Sequence, residues 1–438
     1  MAGIHGAQAS SSNNANKVAT TSMHASTPET ISQGIHGQNP DYLQRSTHNL
    51  STESRSLQYA FVSHESAVDA IWHLAARNWS GVLDDENVWM VPAPDWCIKN
   101  QREVKKLAQV ANLSQFGLSR RPIDLLVPDK SCYSRGKQAR FHVWKDSFPD
   151  RSFVRIHERI FVSTPYFIVL QLAMSRRSDR LSRLEAEISA AEDRRIRKEL
   201  GIDTGGSSYR DLLKWNNISH FVRATQVLCD FMGTYRYRPY YVSDGSFAYE
   251  VMYHTKPLIT EKAMSDYLVY MRKTRGIQRA RRVASAAFSG AASPMETALA
   301  LILCLPVEAG GFGLPRPQLN WEISPKPQER ELVSQKNFFA DLCWPDHRVI
   351  VEYYGQEDHF ESGFQKISED MTRTNSLNAL GWSVLQVTHA HIRTANSLTL
   401  LANQLASLLG AQTRVPSDLE RIWRTRLIAQ LLPRSQRM

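Results

Sequence analysis

Between Phe338 and Gly355 the chain reads FFADLCWPDHRVIVEYYG, and this stretch limits the fold more than any other. Asp341 lies in an apolar, strand-like run. Pro345-Asp346-His347-Arg348 is a turn signal, and the β-branched run Val349-Ile350-Val351 leads into Glu352. A hairpin follows, and a turn centred on Asp346-His347 sets Val349 opposite Trp344, Val351 opposite Leu342 and Glu352 opposite Asp341. Cross-strand partners have Cβ atoms about 5 Å apart, and like charges at that separation repel. A bound cation is the simplest relief.

The flanking elements complete a unit over residues 291–412. Ser293 as N-cap, Pro294 at the first helical position and Glu296 two residues later predict a helix through Leu303. The GGFGLPRP run that follows has neither a preceding strand nor a following Lys-Ser/Thr, which excludes a phosphate-binding P-loop and predicts a turn. Leu319–Ile323 is the first strand. After the hairpin, Ser362 caps a helix whose apolar positions are Phe364, Ile367, Met371 and Leu377, with Gly381 just beyond its end. Trp382–Val387 is then a strand and Ala395–Leu409 an apolar-faced helix. Residues 413–438 predict a basic C-terminal helix.

At 438 residues the chain is long enough for about two or three domains. Residues 1–55 are rich in Ser, Asn, His, Gln and Thr with hardly any aliphatic clusters, the composition of a disordered polar tail. They contain no charged segment leading into an apolar core, so no secretory signal is predicted. The most apolar stretch, Ala298–Val307, is broken by Pro306 and falls short of the roughly 20 residues that span a bilayer. No membrane association and a cytoplasmic location are expected. Cys97, Cys132, Cys229, Cys304 and Cys343 are dispersed, with no CxxC pair, and predict buried reduced thiols.

An α/β domain is predicted over residues 56–175. Its helix starts after Ser63, Ile123–Val127 and Ala139–Trp144 read as strands, Ile156–Val162 alternates polar and apolar residues, and Pro165 opens a helix to Met174. Residues 176–290 form a helical and basic connecting region. Leu181, Leu184, Ile188 and Ala191 make a narrow helical stripe that fits a solvated surface helix, a nucleic-acid-touching arm or a dimerising arm. A second helical stretch runs from Tyr209 to Met232. The Tyr–Arg alternation from Tyr235 to Tyr241 fits an amphipathic strand as well as a base-stacking surface. Arg275, Arg279, Arg281 and Arg282 lie in a tract that either tracks phosphates or carries solvated helix charge. The net charge of +10 favours a polyanionic partner or simply reflects a basic surface.

Taken together, Ser293-Pro294-x-Glu296, Asp341, Glu352-x-Tyr354-Gly355 and Asp370-x-x-Arg373-x-x-x-Leu377-x-x-x-Gly381-Trp382 resemble the PD-(D/E)xK nuclease superfamily. Within it they are similar to the small domains related to very-short-patch mismatch repair endonucleases. The upstream FVSHESA, LLVP and STPYFIVLQLA segments resemble regions of bacterial abortive-infection toxin and antitoxin proteins. The resemblance implies an α/β protein with a C-terminal restriction-endonuclease-like core, a mixed sheet flanked by helices, preceded by a separate α/β region. It also implies hydrolysis of DNA phosphodiester bonds with Mg²⁺ or Mn²⁺, in repair, restriction or defence, and no small-molecule cofactor. Asp341, Glu352 and Glu296 would be the metal ligands. Tyr354 and His359 would join them in catalysis, Asp370 and Gly355 would support the site, and Arg373 would pair with Asp370 or contact DNA alongside the four arginines of the basic tract.

Three features depart from the superfamily pattern. Tyr354 stands where the signature has Lys; a phenol with a pKa of about 10 is a poor base and supplies no cation. His359 falls one residue late. Glu357, Asp358 and Glu361 add negative charge. The competing expectation is a structural ion-pair cluster in which Arg348 or Arg373 offsets Asp341 and Glu352, with His347, His389 and His391 as surface or satisfied core histidines. The protein would then be a catalytically degenerate, DNA-binding or toxin–antitoxin-type regulator. The sequence names no protein partner.

Overall fold

Strands β1 (Ala60–Val62), β2 (Ile123–Val127), β3 (Ala139–Val143), β4 (Phe153–His157) and β5 (Ile160–Ser163) form a mixed five-stranded sheet in the order β3-β2-β1-β5-β4. The computed structural model describes residues 59–77, 97–98, 100–118, 122–130, 136–145, 148, 151–174, 181–202, 205–241, 247–271, 274–355, 363–392 and 394–432. The expected tail and Cys132 lie outside these residues. The alternating stretch Ile156–Val162 is a hairpin, with β4 antiparallel to β5 across Glu158 and Arg159. β1 is parallel to β5 and antiparallel to β2. Helices α1 (His64–Ala75), α2 (Gln101–Val110) and α3 (Pro165–Met174) belong to this layer. Ser63 occupies the N-cap of α1, yet its hydroxyl makes no capping bond.

Helix α4 (Arg183–Leu200) opens with a Ser182/Glu185 capping box. Its expected apolar stripe faces outward, Leu184 being 66% and Ile188 60% exposed. The helix is anchored instead through Ile196, which packs with Ile202 and Ile422. Helix α5 (Tyr209–Met232) runs through the interior and leads into a two-stranded sheet of β6 (Arg236–Tyr241) and β7 (Phe247–Met252). Here the first half of the Tyr–Arg alternation, Tyr235 and Arg236, packs inward, whereas Arg238 and Tyr240 are exposed. Arg236 is buried and donates to the carbonyls of Ala75 and Lys256 (3.1 and 2.9 Å), while Arg238 pairs with Glu250. Helix α6 (Glu261–Tyr270) precedes α7 (Ile277–Ala286), which buries Ile277, Ala280 and Val283.

In the C-terminal part, α8 (Pro294–Cys304) is followed by β8 (Gln318–Ile323), β9 (Phe338–Trp344) and β10 (Val349–Tyr354). Next come α9 (Gly363–Ala379), β11 (Ser383–Thr388), α10 (His389–Ile392), α11 (Ala395–Leu409) and α12 (Asp418–Leu431). The four-stranded sheet has the order β11-β10-β9-β8, with β10 and β11 parallel and the other pairs antiparallel. A crossover through α9 makes the parallel pairing feasible. Leu342, Trp344, Val349 and Val351 join the main core, which runs from Tyr59 to Leu432. Phe338, Ala340, Cys343 and Ile350 pack with Leu377 and Leu380 of the α9 side. Met371, expected on the apolar face of α9, is 60% exposed, and Ser362 lies outside the described residues.

Helix α12 turns its basic residues inward. Arg424 is buried over the Phe312 ring (3.7 Å) and donates to the carbonyls of Gly310 and Gly311, the GGFG turn predicted from sequence. That turn needs glycine: Gly310 has φ 89°, and a Cβ on Gly311 would lie 2.0 Å from the Leu305 carbonyl oxygen. Cys97, Cys229 and Cys343 are buried, whereas Cys304 is partly exposed. Among the described residues no helix is long and apolar enough to cross a membrane.

Candidate active site

Pro345–His347 forms one 3-10 turn and Arg348 follows in the left-handed region at φ 52°. The hairpin register is the expected one: Val349 pairs with Trp344, Ile350 with Cys343 and Val351 with Leu342. The next pair, Asp341 with Glu352, does not form as a ladder step. The Tyr353 N–H instead donates to Asp341 Oδ2 at 2.7 Å. On the other edge of β9 the register passes from Leu319↔Leu342 to Trp321↔Ala340 and skips Asn320, which has φ 50°. Side chains two apart on a regular strand share a face. Ala340 and Leu342 pack in different clusters, so both strands kink at the level of Asp341. The kink lets a buried carboxylate accept a backbone N–H, one of the few ways to stabilise its charge away from water.

Glu352 is 7% exposed. Arg373, reaching over from α9, donates from Nη2 to Oε1 (2.9 Å) and from Nε to Oε2 (3.3 Å). Its Nη2 also donates to the Phe339 carbonyl at 2.6 Å, which ties helix, β9 and β10 together. The expected pairing of Arg373 with Asp370 gives way to this clasp because a two-pronged guanidinium matches a carboxylate with both oxygens presented. Glu296, 6% exposed, sits in the first turn of α8: Ser293 Oγ accepts its N–H (3.1 Å), and its Oε2 accepts the Ala292 N–H (2.7 Å).

The three carboxylates sense one another. Burial pushes Asp341 well above the usual range, and the charges of Glu296 and Glu352 push it further; the Tyr353 N–H and Arg373 oppose this. Burial raises Glu296 to about 7, Glu352 adding to the shift against hydrogen bonds from Ala292 and Ser293. Glu352 is also raised, by burial first, with Arg373 opposing and Asp370 adding. Burial raises the Tyr354 phenol, as do Glu352 and Asp370, so it stays protonated at neutral pH and is no base. Among the described residues, no group of three or more His, Cys, Asp and Glu side chains is gathered into a ready-made metal cage.

Glu296, Asp341, Glu352, Tyr354 and Arg373 are thus brought together, with Asp370 near Glu352. Gly355 follows β10 directly. His359, Glu357, Asp358 and Glu361 lie outside the described residues. Arg275, Arg279 and Arg282 are exposed at α7, and the partly buried Arg281 donates to the Leu268 carbonyl (3.5 Å).

Sequence reasoning missed a second polar cluster. Asp124 Oδ1 lies 2.9 Å from His142 Nε2 and 3.3 Å from Arg140, and the His142 ring stacks on His64 at 3.7 Å. The available signal was a lone acid in the apolar run IDLLV, with Arg140 and His142 on one face of β3. No protein-family model matches this chain, and comparison with curated proteins and with solved structures returns no similar protein.

Proposed function

We propose that Glu296, Asp341 and Glu352 form a metal-dependent phosphodiester-hydrolysing site and that the protein is an endonuclease acting on DNA, in repair, restriction or defence. The mixed sheet flanked by helices agrees with a restriction-endonuclease-like core. The observation that carries the proposal is the meeting of three carboxyl groups in one place: Glu296 and Glu352, both buried, act on Asp341, with Arg373 as the compensating cation. An all-oxygen donor set suits Mg²⁺ or Mn²⁺. The hydrogen bonds from Tyr353 and Ala292 engage Oδ2 of Asp341 and Oε2 of Glu296, and a carboxylate, with about four lone-pair sites, can accept these and still ligate a hard cation. Glu352 would be the third ligand after yielding part of its bond to Arg373. When bound, such an ion lowers the pKa of its water and offsets charge building on a phosphate. The chain's own residues hold the three carboxylates in place, and a released arm of Arg373 can face a phosphate oxygen.

One observation favours a second reading. Both Glu352 oxygens are already engaged by Arg373, as in a degenerate site where a fixed guanidinium replaces the metal and the protein only binds DNA or regulates a toxin–antitoxin pair. Incubating supercoiled plasmid and a single-stranded oligonucleotide with the protein plus Mg²⁺, Mn²⁺ or EDTA separates the two. Cleavage that needs metal and is lost in Asp341→Ala and Glu352→Ala supports the nuclease; no cleavage with unchanged DNA affinity in both variants supports the binding protein.

A further inference from the structure

A buried chain of contacts leads from the first sheet layer to the residue that follows Glu296. The Tyr235 side chain is fully enclosed, and its hydroxyl bonds to the Asp230 carboxylate and lies 2.9 Å from Thr297 Oγ1, on the residue after Glu296. The adjoining turn holds the approach to α8. The Thr234 N–H and Oγ1 both donate to the Ala291 carbonyl (2.8 and 3.3 Å), and the Gly290 N–H donates to the Met232 carbonyl (3.1 Å). The close approach relies on Gly233, where a Cβ would lie 2.7 Å from the Tyr235 ring and 3.1 Å from the Ala291 oxygen. On the far side, the Arg223 charge acts on Asp230 while its guanidinium takes both oxygens of Glu65, on α1 (3.0 and 2.8 Å).

We infer that Tyr235 is a positioning residue for Glu296, acting through Thr297, and that the Asp230–Arg223–Glu65 chain ties this arm of the carboxylate site to helix α1. The inference rests on the metal-site proposal for its chemical consequence, but not for its structural one. Helix ends fray even where, as here, a serine caps the first turn, and first-turn side chains move with them. Tyr235 and Thr234 pin the residues on either side of the Ala292 N–H that Glu296 accepts, which fixes where the carboxylate points. The region before residue 290 thereby acquires a role in setting the geometry of a site to which it contributes no ligand.

The test compares full-length wild type with Thr297→Val, which removes the hydroxyl at constant shape, Thr297→Ser, which keeps it, and Tyr235→Phe. Two readouts are taken: Mn²⁺ affinity and the electron paramagnetic resonance spectrum of bound Mn²⁺, and hydrogen exchange at the amides of residues 290–297. Loss of a group that orients a ligand typically costs 10–100-fold in metal affinity. About a tenfold loss in Thr297→Val and Tyr235→Phe, an altered spectrum, faster exchange at Ala292 and rescue in Thr297→Ser are the expected results. Unchanged exchange at 290–297 in both hydroxyl-deletion variants overturns the inference, whether or not the protein binds Mn²⁺. Faster exchange in the two hydroxyl-deletion variants than in the wild type, with no protein binding Mn²⁺, supports the positioning and instead removes the metal-site proposal. Equal Mn²⁺ affinity across all four proteins, where the wild type does bind, also overturns it.

Discussion

Arg373 holds both carboxylate oxygens of Glu352, at 2.9 and 3.3 Å, from a helix that lies on the crossover between two parallel strands. The pair is mostly buried, so neither member is easily lost. It compensates one carboxylate in a cluster of three carboxyl groups, whose ionisation burial and mutual repulsion oppose. If the proposed site binds a divalent ion, that ion would compete with this clasp for Glu352.

Removing the guanidinium should therefore reveal which partner Glu352 prefers. Breaking a buried pair by deleting one member costs about 3–5 kcal/mol. Arg373→Met is expected to lower the thermal midpoint strongly in EDTA and to recover much of the loss in Mn²⁺, measured by calorimetric scans with and without metal. Equal midpoints in the two conditions would count against a metal at Glu352.

Asp341→Asn is expected to separate stability from activity. The amide oxygen can still accept the Tyr353 N–H, while the repulsion from Glu296 and Glu352 disappears. In metal-free buffer, urea unfolding should show a gain of about 1 kcal/mol. Cleavage should fall on the order of 10³-fold, which corresponds to about 4 kcal/mol of transition-state stabilisation. A variant that is destabilised and still active would contradict the assignment of Asp341.

Acid should loosen the first sheet layer. Burial lowers the pKa of His64, followed by the effects of His142 and Arg140, with the stack at 3.7 Å and Asp124 facing His142. A histidine held neutral in the fold takes its proton first when unfolded. Stability is then full above about 6.5 and declines as pH falls from there towards the lowered folded value. Denaturant midpoints at pH 7.5 and 5.5 should differ in the wild type and differ less in His64→Asn, since Asn tolerates the φ of 51° found there.

Two glycines give a paired test of packing. Gly311→Ala drives a methyl group into the Leu305 carbonyl and should cost about 3 kcal/mol. Gly205→Ala meets nothing within 4 Å and should stay within about 0.5 kcal/mol. Urea unfolding of both variants measures the contrast.

Much of the architecture was legible because local chemistry determined it. The PDHR turn specified the hairpin register, Ser293-Pro294 specified the start of α8, and the spans Tyr209–Met232 and Ala395–Leu409 are helices as expected. Failures came where tertiary contacts decide. FFADLCW is apolar at odd and even positions alike, so alternation gave no sign that the strand changes faces at Asp341. A row of arginines in α12 looks solvated until the carbonyls of Gly310 and Gly311 are placed beside Arg424. The exposed Leu184 and Ile188 fit the surface helix expected of α4, whereas its anchoring contact through Ile196 to Ile422 had no local signal. At the candidate site, hairpin spacing set Asp341 beside Glu352 and only the family resemblance added Glu296, whereas the partner chosen by Arg373 depended on where α9 lies against the sheet.

The kink at Asp341 also bears on how the sheet finds its alignment. A one-residue slip of a strand sends every side chain to the opposite face. On β9 the two sides of the break are already sorted to different layers, Ala340 to one and Leu342 to the other. Any slip would strand an acid in grease on one side and open a void on the other. The native alignment therefore keeps Asp341 out of both apolar layers, whether or not the carboxylate ever meets a metal.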